Sequence, residues 1–292
     1  MSLPWSKVIR LRVTPDEVSG SLIQRWLDPK VLARTCQAPS AAPGTQGVSA
    51  DSIHAKADTL ARAIEAALAE LAKTSQLRGA RLEVEWANEL MTFDVVAGEF
   101  EGNSDAQLQS VATACLSELL GDAVQAHDIR WQLQSDRRHL LIGAIASDYL
   151  QLLSQSASRH GLRLCSVEPD FCLQWNRHAG TVRAGTSVFA VASGHDAMIA
   201  CVSNGAVIAI SSGAWVSGSR RKAGADSAAP MRSSAAEPAA GENLLDVRLA
   251  RLLASVGLDP ADRSDRVLVA TEWARENVSS GWTVLNRDAI PA

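Results

Sequence analysis

The sequence predicts an α/β protein, and three observations carry that prediction. Short strand-like apolar runs alternate with helix-period stripes along all 292 residues. From Asp51 onward Ile53, Ala57, Leu60, Ile64, Leu68 and Leu71 recur at spacings of three and four, the stripe of a helix with one buried face. Between Phe189 and Trp215, Asn204-Gly205 separates apolar runs rich in Val and Ile. That pair is a strong hairpin signal, because both turn residues must take positive φ.

The elements follow in chain order. Lys7 to Val13 alternates Leu11 and Val13 with charged neighbours and reads as a strand. Thr14-Pro15-Asp16 is a turn, and Val18 to Trp26 returns as a second strand or a short helix. Ala38 to Gly47 is loop-forming by its Pro, Gly and Ser content. After the Asp51 helix, Leu82-Val84-Trp86 and Phe93-Val95 read as two strands broken at Ala87-Asn88-Glu89. Leu108, Ala112, Cys115 and Leu119 mark another amphipathic helix, closed by Gly121.

Ile129 to Leu133 and Leu140 to Ile145 form a strand pair around the polar turn Ser135 to Arg138. Ser147 is the expected N-cap of a helix that ends before Gly161. Leu162 to Val167 is a strand with Glu168-Pro169-Asp170 as its exit, and Phe171 to Arg177 a short helix. The Phe189–Trp215 unit follows, read as two strands joined by the Asn-Gly turn, with a first loop at Ala192-Ser193-Gly194-His195-Asp196. Residues 216–243 are rich in Ser, Ala, Gly and Pro and lack the apolar surface to offset ordering entropy, so a flexible insertion is expected there. A helix from Leu244 to Val256, stopped by Gly257 and Pro260, and strands at Arg266 to Thr271 and Trp282 to Leu285 complete the chain. No repeat of fixed period is visible.

Composition narrows the function classes. Hydrophobic residues at 47% and charged residues at 21% describe an ordinary globular protein. A net charge of −4 gives no electrostatic footprint for nucleic acid. No run of about 18 apolar residues exists to cross a bilayer, and Met1 to Val13 lacks the apolar core of a signal peptide. Five cysteines, an odd number without a C-x-x-C pair, sit mostly in apolar segments as small hydrophobes. A cytoplasmic protein is the expectation. Six histidines show no i, i+4 pair, so no zinc site is expected. Eight tryptophans are spread evenly, which suits core and rim packing better than a base-stacking cluster.

The order of segments resembles a known family. AALAELAKTSQLRGARLEVEWANELMTFDVV, then LIGAIASDYLQLLSQSASRHGLRLCSVEPDFCLQWNR, then Phe189 to Gly213, are similar to the actin-like domain of PilM-type proteins of type IV pilus assembly. The cytoplasmic domain of the GspL component of type II secretion has the same general design. The resemblance covers roughly Ile53 to Trp215 and, more weakly, the last fifty residues. It implies an actin-like, ribonuclease H-like fold of two lobes with mixed sheets flanked by helices. The lobes are expected at 1–187, with an inserted subdomain, and 188–292.

The departures from that family shape the functional expectation. Its first hairpin usually carries an Asp and Gly phosphate loop, where this chain has Thr14-Pro15-Asp16-Glu17 and no glycine before Gly20. Its second usually begins with Asp and Gly one residue apart, where this chain keeps Gly194 but has Ala192 for the acid. Without that carboxylate Mg²⁺ and an attacking water lose a ligand. The Gly-rich turn near an adenine is not visible either.

Ser193, Gly194 and Asp196 are the residues that would hold a nucleotide, through a nest of backbone N–H groups. A plain strand-to-strand turn is the simpler reading of the same residues. His195-Asp196 is expected to be solvent-exposed. Glu168 and Asp170 sit at a strand exit where α/β folds place functional carboxylates, but N-capping explains Asp170 better. Arg220-Arg221-Lys222 offers only weak, salt-sensitive attraction to acidic lipid or a partner.

The reading that results is a non-catalytic cytoplasmic scaffold of a type IV pilus or type II secretion-like inner-membrane platform. It binds inner-membrane pilus or secretion proteins through short cytoplasmic segments, in the groove between its lobes or at a sheet edge. It needs no cofactor, reaches the membrane only through a partner, binds no nucleic acid and is open to homo-oligomerisation. The alternatives are an ATP-binding protein or Mg²⁺-dependent ATPase with atypical loops, in which Asp16 and Asp196 are the nearest acids, and an unrelated α/β interaction module.

Overall fold

A computed structural model describes residues 6–25, 30–39, 50–74, 76–182, 185–193, 196–214, 244–259, 265–270 and 281–287. The expected flexible segment 216–243 lies outside these residues, as do Gly194, His195 and the Arg220–Lys222 run. The chain is α/β, as its alternation predicts, with several sheets flanked by helices. It divides into two compact units: 1–93, 102–132 and 142–176, and 94–101, 133–141 and 177–292.

The first unit is built on β1 (Ser6–Val13), β2 (Val18–Arg25), β3 (Lys30–Gln37), α1 (Ala50–Thr74), β4 (Arg81–Trp86), α2 (Asp105–Leu120), α3 (Ser147–Arg159), β8 (Arg163–Pro169) and α4 (Asp170–His178). Its sheet runs β3-β2-β1-β4-β8, with β1–β2 and β2–β3 antiparallel and β1–β4 and β4–β8 parallel. Alternation sets its faces. Leu11, Val13, Leu82, Val84 and Trp86 pack with Leu60, Ile64 and Leu68 of α1 in one core. The intervening Arg10 and Arg12 pair with Glu83 and Glu85 at 3.2 and 3.3 Å. Gly20 lets α1 approach β2: a Cβ there would stand 2.9 Å from Leu11 Cδ2 and 3.2 Å from Leu71 Cδ1.

A three-stranded sheet, β5-β7-β6, is made by β5 (Met91–Ala97), β6 (His127–Leu133) and β7 (His139–Ala146). The second unit carries β9 (Thr186–Ser193), β10 (Asp196–Ser203), β11 (Ala206–Ala214), α5 (Leu244–Ser255), β12 (Asp265–Ala270) and β13 (Thr283–Asn286). Its sheet runs β11-β10-β9-β12-β13, with the first two pairings antiparallel and the last two parallel. Each five-stranded sheet therefore has the order third-second-first-fourth-fifth with the same strand senses. This repeat is topological, and the dissimilar residues of the two halves hide it in the sequence.

One open local choice is settled and three local expectations change. Val18 to Arg25 is a strand, which settles the choice between strand and helix. β3 was not anticipated: its edge position leaves KVLARTCQ half-exposed and without a clear alternation. Ser147 is the first residue of α3, and Ala146 occupies the N-cap without a side-chain cap. The Phe189–Trp215 unit holds three strands, not two: Ala192 and Ser193 end β9, Asp196 opens β10, and Ser193 pairs directly with Asp196. The Asn-Gly turn stands as expected, with φ of 50° at Asn204 and 80° at Gly205.

Candidate functional site

In each five-stranded sheet the parallel strands end together, and such a carboxyl edge is where open α/β sheets place ligands. In the second unit the edge is formed by Ala192 and Ser193 of β9, Ala270 of β12, and Asn286 with the following Arg287. Ser193 is buried and Asp196 half-buried beside it across the hairpin. Gly194 lies outside the described residues, so the structure brings together two of the three sequence-predicted positions, Ser193 and Asp196.

Two arginines that sequence reading did not single out flank this hairpin. Arg287 is 2% exposed. Its backbone N–H donates to Ala270 O at 3.1 Å and its Nη1 to Ala192 O at 3.3 Å. A buried guanidinium thus rests on the residue that stands in the place of the expected carboxylate. Arg248 reaches from α5: Nη1 donates to Ala197 O at 3.1 Å and to Gly213 O, and Nη2 to Ser211 Oγ at 3.3 Å. Burial lowers the Arg248 pKa, and the Asp196 carboxylate opposes that shift. Among the described residues the local chemistry is cationic, with the Asp196 carboxylate and the hydroxyls of Ser193 and Ser211 beside the two guanidinium groups. It sets two guanidinium groups against one carboxylate, a balance that suits an anion better than a divalent cation. No cluster of three or more His, Cys, Asp or Glu suited to a metal occurs among the described residues.

In the first unit the corresponding hairpin closes on itself. Thr14 N–H donates to Glu17 O at 2.8 Å, Thr14 Oγ1 donates to the same oxygen at 2.9 Å, and Glu17 N–H donates back to Thr14 Oγ1 at 2.9 Å. Asp16 is exposed on this turn. At the ends of β4 and β8, Trp86 and Pro169 are register partners. Beyond them Asn88 Oδ1 accepts the Phe171 N–H at 2.8 Å, which serves the first turn of α4 from a residue 83 positions away. Asp170, expected as an N-cap, is the first residue of α4, fully buried, and its Oδ1 accepts from Gln174 Nε2 at 3.3 Å. Glu168 is half-buried on β8.

Of the four tryptophans in the described residues, Trp86 and Trp282 are buried, and the Trp86 ring lies 5.3 Å from that of Tyr149. No described helix is long and apolar enough to cross a membrane.

No family model and no curated protein matches the sequence. Solved structures do. The chain is similar to the PilM-PilN type IV pilus biogenesis complex, at 10% identity and a TM-score of 0.59, over 97% of this chain and 89% of the other. It is also similar to a Bacteroides thetaiotaomicron protein with actin-like ATPase fold and unknown function, at 10% identity and a TM-score of 0.51, over 98% and 94%. A third likeness is to the cytoplasmic domain of EpsL, an inner-membrane component of the type II secretion system of Vibrio cholerae, at 11% identity and a TM-score of 0.44, over 68% and 69%. The fold is therefore actin-like, as the resemblance implied.

Proposed function

We propose that this chain is a non-catalytic actin-like scaffold with degenerate phosphate loops, which binds short cytoplasmic segments of inner-membrane components in a pilus or secretion assembly platform. It works in the cytoplasm and is held at the inner membrane by its partner. One observation carries the reading: the β9–β10 tip has Ala192 where a nucleotide-hydrolysing relative would need an acid, and the Arg287 guanidinium sits on that residue's carbonyl. The likeness to PilM-PilN over nearly the whole chain supports the choice of assembly.

Thermal melting with and without millimolar Mg-ATP tests the first half. Ligand at a hundredfold over Kd would add about 2.7 kcal/mol, so an unshifted Tm is expected and a clear rise overturns the non-catalytic reading. Calorimetric titration with synthetic N-terminal segments of inner-membrane pilus components tests the second half. Binding is expected, and Asp196→Ala should leave it unchanged.

A second reading, nucleotide binding through Ser193, Gly194 and Asp196, is favoured by the two guanidinium groups beside the hairpin, whose charge suits phosphate. Under that reading Mg-ATP raises the Tm, and Asp196→Ala or Arg287→Met removes the rise.

A further inference from the structure

The charged face of the first sheet, turned away from α1, is sorted by sign along its strands. Register partners share a face, so the side chains there stand in rows. One row runs Arg163–Arg81–Val8–Ile23–Val31 and the next Ser166–Glu83–Arg10–Ser21–Arg34. Arg78 precedes them in the loop before β4. At this amino end of β4 and β8 five arginines therefore meet one glutamate. Two residues further along the strands the sign reverses. Arg12, Glu85 and Glu168 share the next row, and Asp16 and Glu17 stand on the turn beyond, so one arginine meets four carboxylates.

The amino-end arginines are accessible and only partly neutralised. The side chains of Arg10 and Arg81 are 48% and 50% exposed, and Arg34, Arg78 and Arg163 are exposed as well. Glu83 is shared: Arg10 Nε stands 3.2 Å from one of its oxygens and Arg81 Nη2 3.8 Å from the other. Arg34, Arg78 and Arg163 form no ion pair among the described residues. Arg81 and Arg163 are direct register partners, like charges side by side, an arrangement that costs stability. Helix dipoles do not account for them. Lys73 and Arg159 already occupy the last turns of α1 and α3, and these arginines lie beyond the turn over which that effect acts. Gly79 N–H donates to Gly161 O at 2.8 Å and Arg163 N–H to Ala80 O at 2.9 Å, which ties the two loops and fixes where the charges stand.

We infer that this arginine face docks on an anionic phospholipid surface, with the carboxylate end of the same face pointing away. Charge selects an anion, and the layout selects a plane of headgroups over an acidic protein segment. Arg34, Arg10, Arg81 and Arg163 sit on four different strands, β3, β1, β4 and β8. They spread across roughly 19 Å at about 4.8 Å per strand, so an extended segment following any one strand would meet one of them. Protein partners are held chiefly by large anchors in desolvated pockets. Of the large apolar side chains in these rows, Val31 at the edge is the exposed one, at 43%. A headgroup plane asks for cations alone. It also repels the acidic end, so the sorting of charge sets orientation as well as contact. The inference goes beyond the scaffold reading, because the contact needs no partner protein and its test contains none.

Co-sedimentation of the full chain with vesicles tests this, phosphatidylcholine alone against phosphatidylcholine with phosphatidylglycerol. Binding is expected only to the anionic vesicles at about 0.05 M salt, with its loss by about 0.5 M. At about fivefold per arginine, Arg81→Gln with Arg163→Gln should weaken partitioning about 25-fold and leave the circular dichroism spectrum unchanged. Glu83→Gln should strengthen it about fivefold, a salt-sensitive gain that partial unfolding does not produce. Arg130→Gln with Arg251→Gln removes the same charge from exposed positions elsewhere and should change binding less than about twofold. No binding to phosphatidylglycerol vesicles overturns the inference, as does binding that the two arginine pairs change alike. Retention on immobilised poly-glutamate with none on the vesicles also overturns it and reassigns the face to an acidic protein segment.

Discussion

The two five-stranded sheets share one strand order and one set of strand senses, yet they bury their central strands in different ways. β4 in the first alternates exposed or half-exposed with buried residues along RLEVEW, and its outward positions are spent on ion pairs with β1. β9 and β10 in the second are buried at successive positions, from Ser187 to Ser193 and from Ala197 to Val202. One sheet has an apolar face and a charged face, and the other is apolar on both. Topology therefore does not dictate how many faces of a sheet are dry; the residue at every second position does.

Paired substitutions break or sharpen this contrast, and chemical denaturation reads them. In the second sheet adjacent residues on opposite faces should cost alike: Met198→Ala and Ile199→Ala each about 2–5 kcal/mol. In the first sheet Leu82→Ala should cost the same about 2–5 kcal/mol, whereas its neighbour Glu83→Ala should stay below about 1 kcal/mol, the scale of a half-exposed ion pair. Equal costs at Leu82 and Glu83 would refute the two-faced description.

The next effect is at the carboxyl edge of the first sheet. Asn88→Ala leaves the buried Phe171 N–H without its acceptor and should cost about 1–3 kcal/mol. The two antiparallel turns come next. Gly205→Ala forces a side chain into φ of 80° and should cost about 1–2 kcal/mol. Thr14→Ala removes a hydroxyl that both donates to and accepts from Glu17 and should cost about 1 kcal/mol.

The smallest effect is pH-dependent. Glu65 accepts from Arg159 Nη1 at 3.1 Å and His160 Nε2 at 3.0 Å. Burial pushes its carboxyl up, but hydrogen bonds from Ser156 and His160 and the charges of His160 and Arg159 outweigh burial, leaving it below the ordinary glutamate range. Its folded value lies under its unfolded one. The cluster's stability is therefore present above about pH 4.3 and is lost as pH falls through the folded value. Wild type should exceed Glu65→Gln by less than about 1 kcal/mol at pH 7, and the gap should close in acid.

Much of the fold was legible because period and turn chemistry are local. The α1 stripe, the Asn204-Gly205 turn and the β6–β7 pair follow from neighbours in sequence. β3 was illegible because an edge strand needs no apolar alternation. The site was half legible. Ser193 and Asp196 come from a turn pattern, but Arg287 acts on Ala192 across 95 residues, and no local signal distinguishes it from a surface arginine. Asn88 looked like a strand breaker, and its acceptor role depends on a helix start 83 residues later. The repeat of strand order was hidden because pairing senses, unlike residue types, leave no trace along one chain.

The shared strand order also sets a schedule for folding. In each five-stranded sheet three consecutive strands form an antiparallel meander, and only then does a fourth arrive by a long crossover. Arg10 and Glu83, register partners in the first sheet, are 73 residues apart. Hairpins close on a timescale of about 1–10 μs, while pairing across so long a loop waits on closure entropy that local contacts do not offset. The meanders β1–β3 and β9–β11 should thus be the earliest structure in refolding. During that interval β1 and β9, interior strands of the finished sheets, each stand with one edge bare.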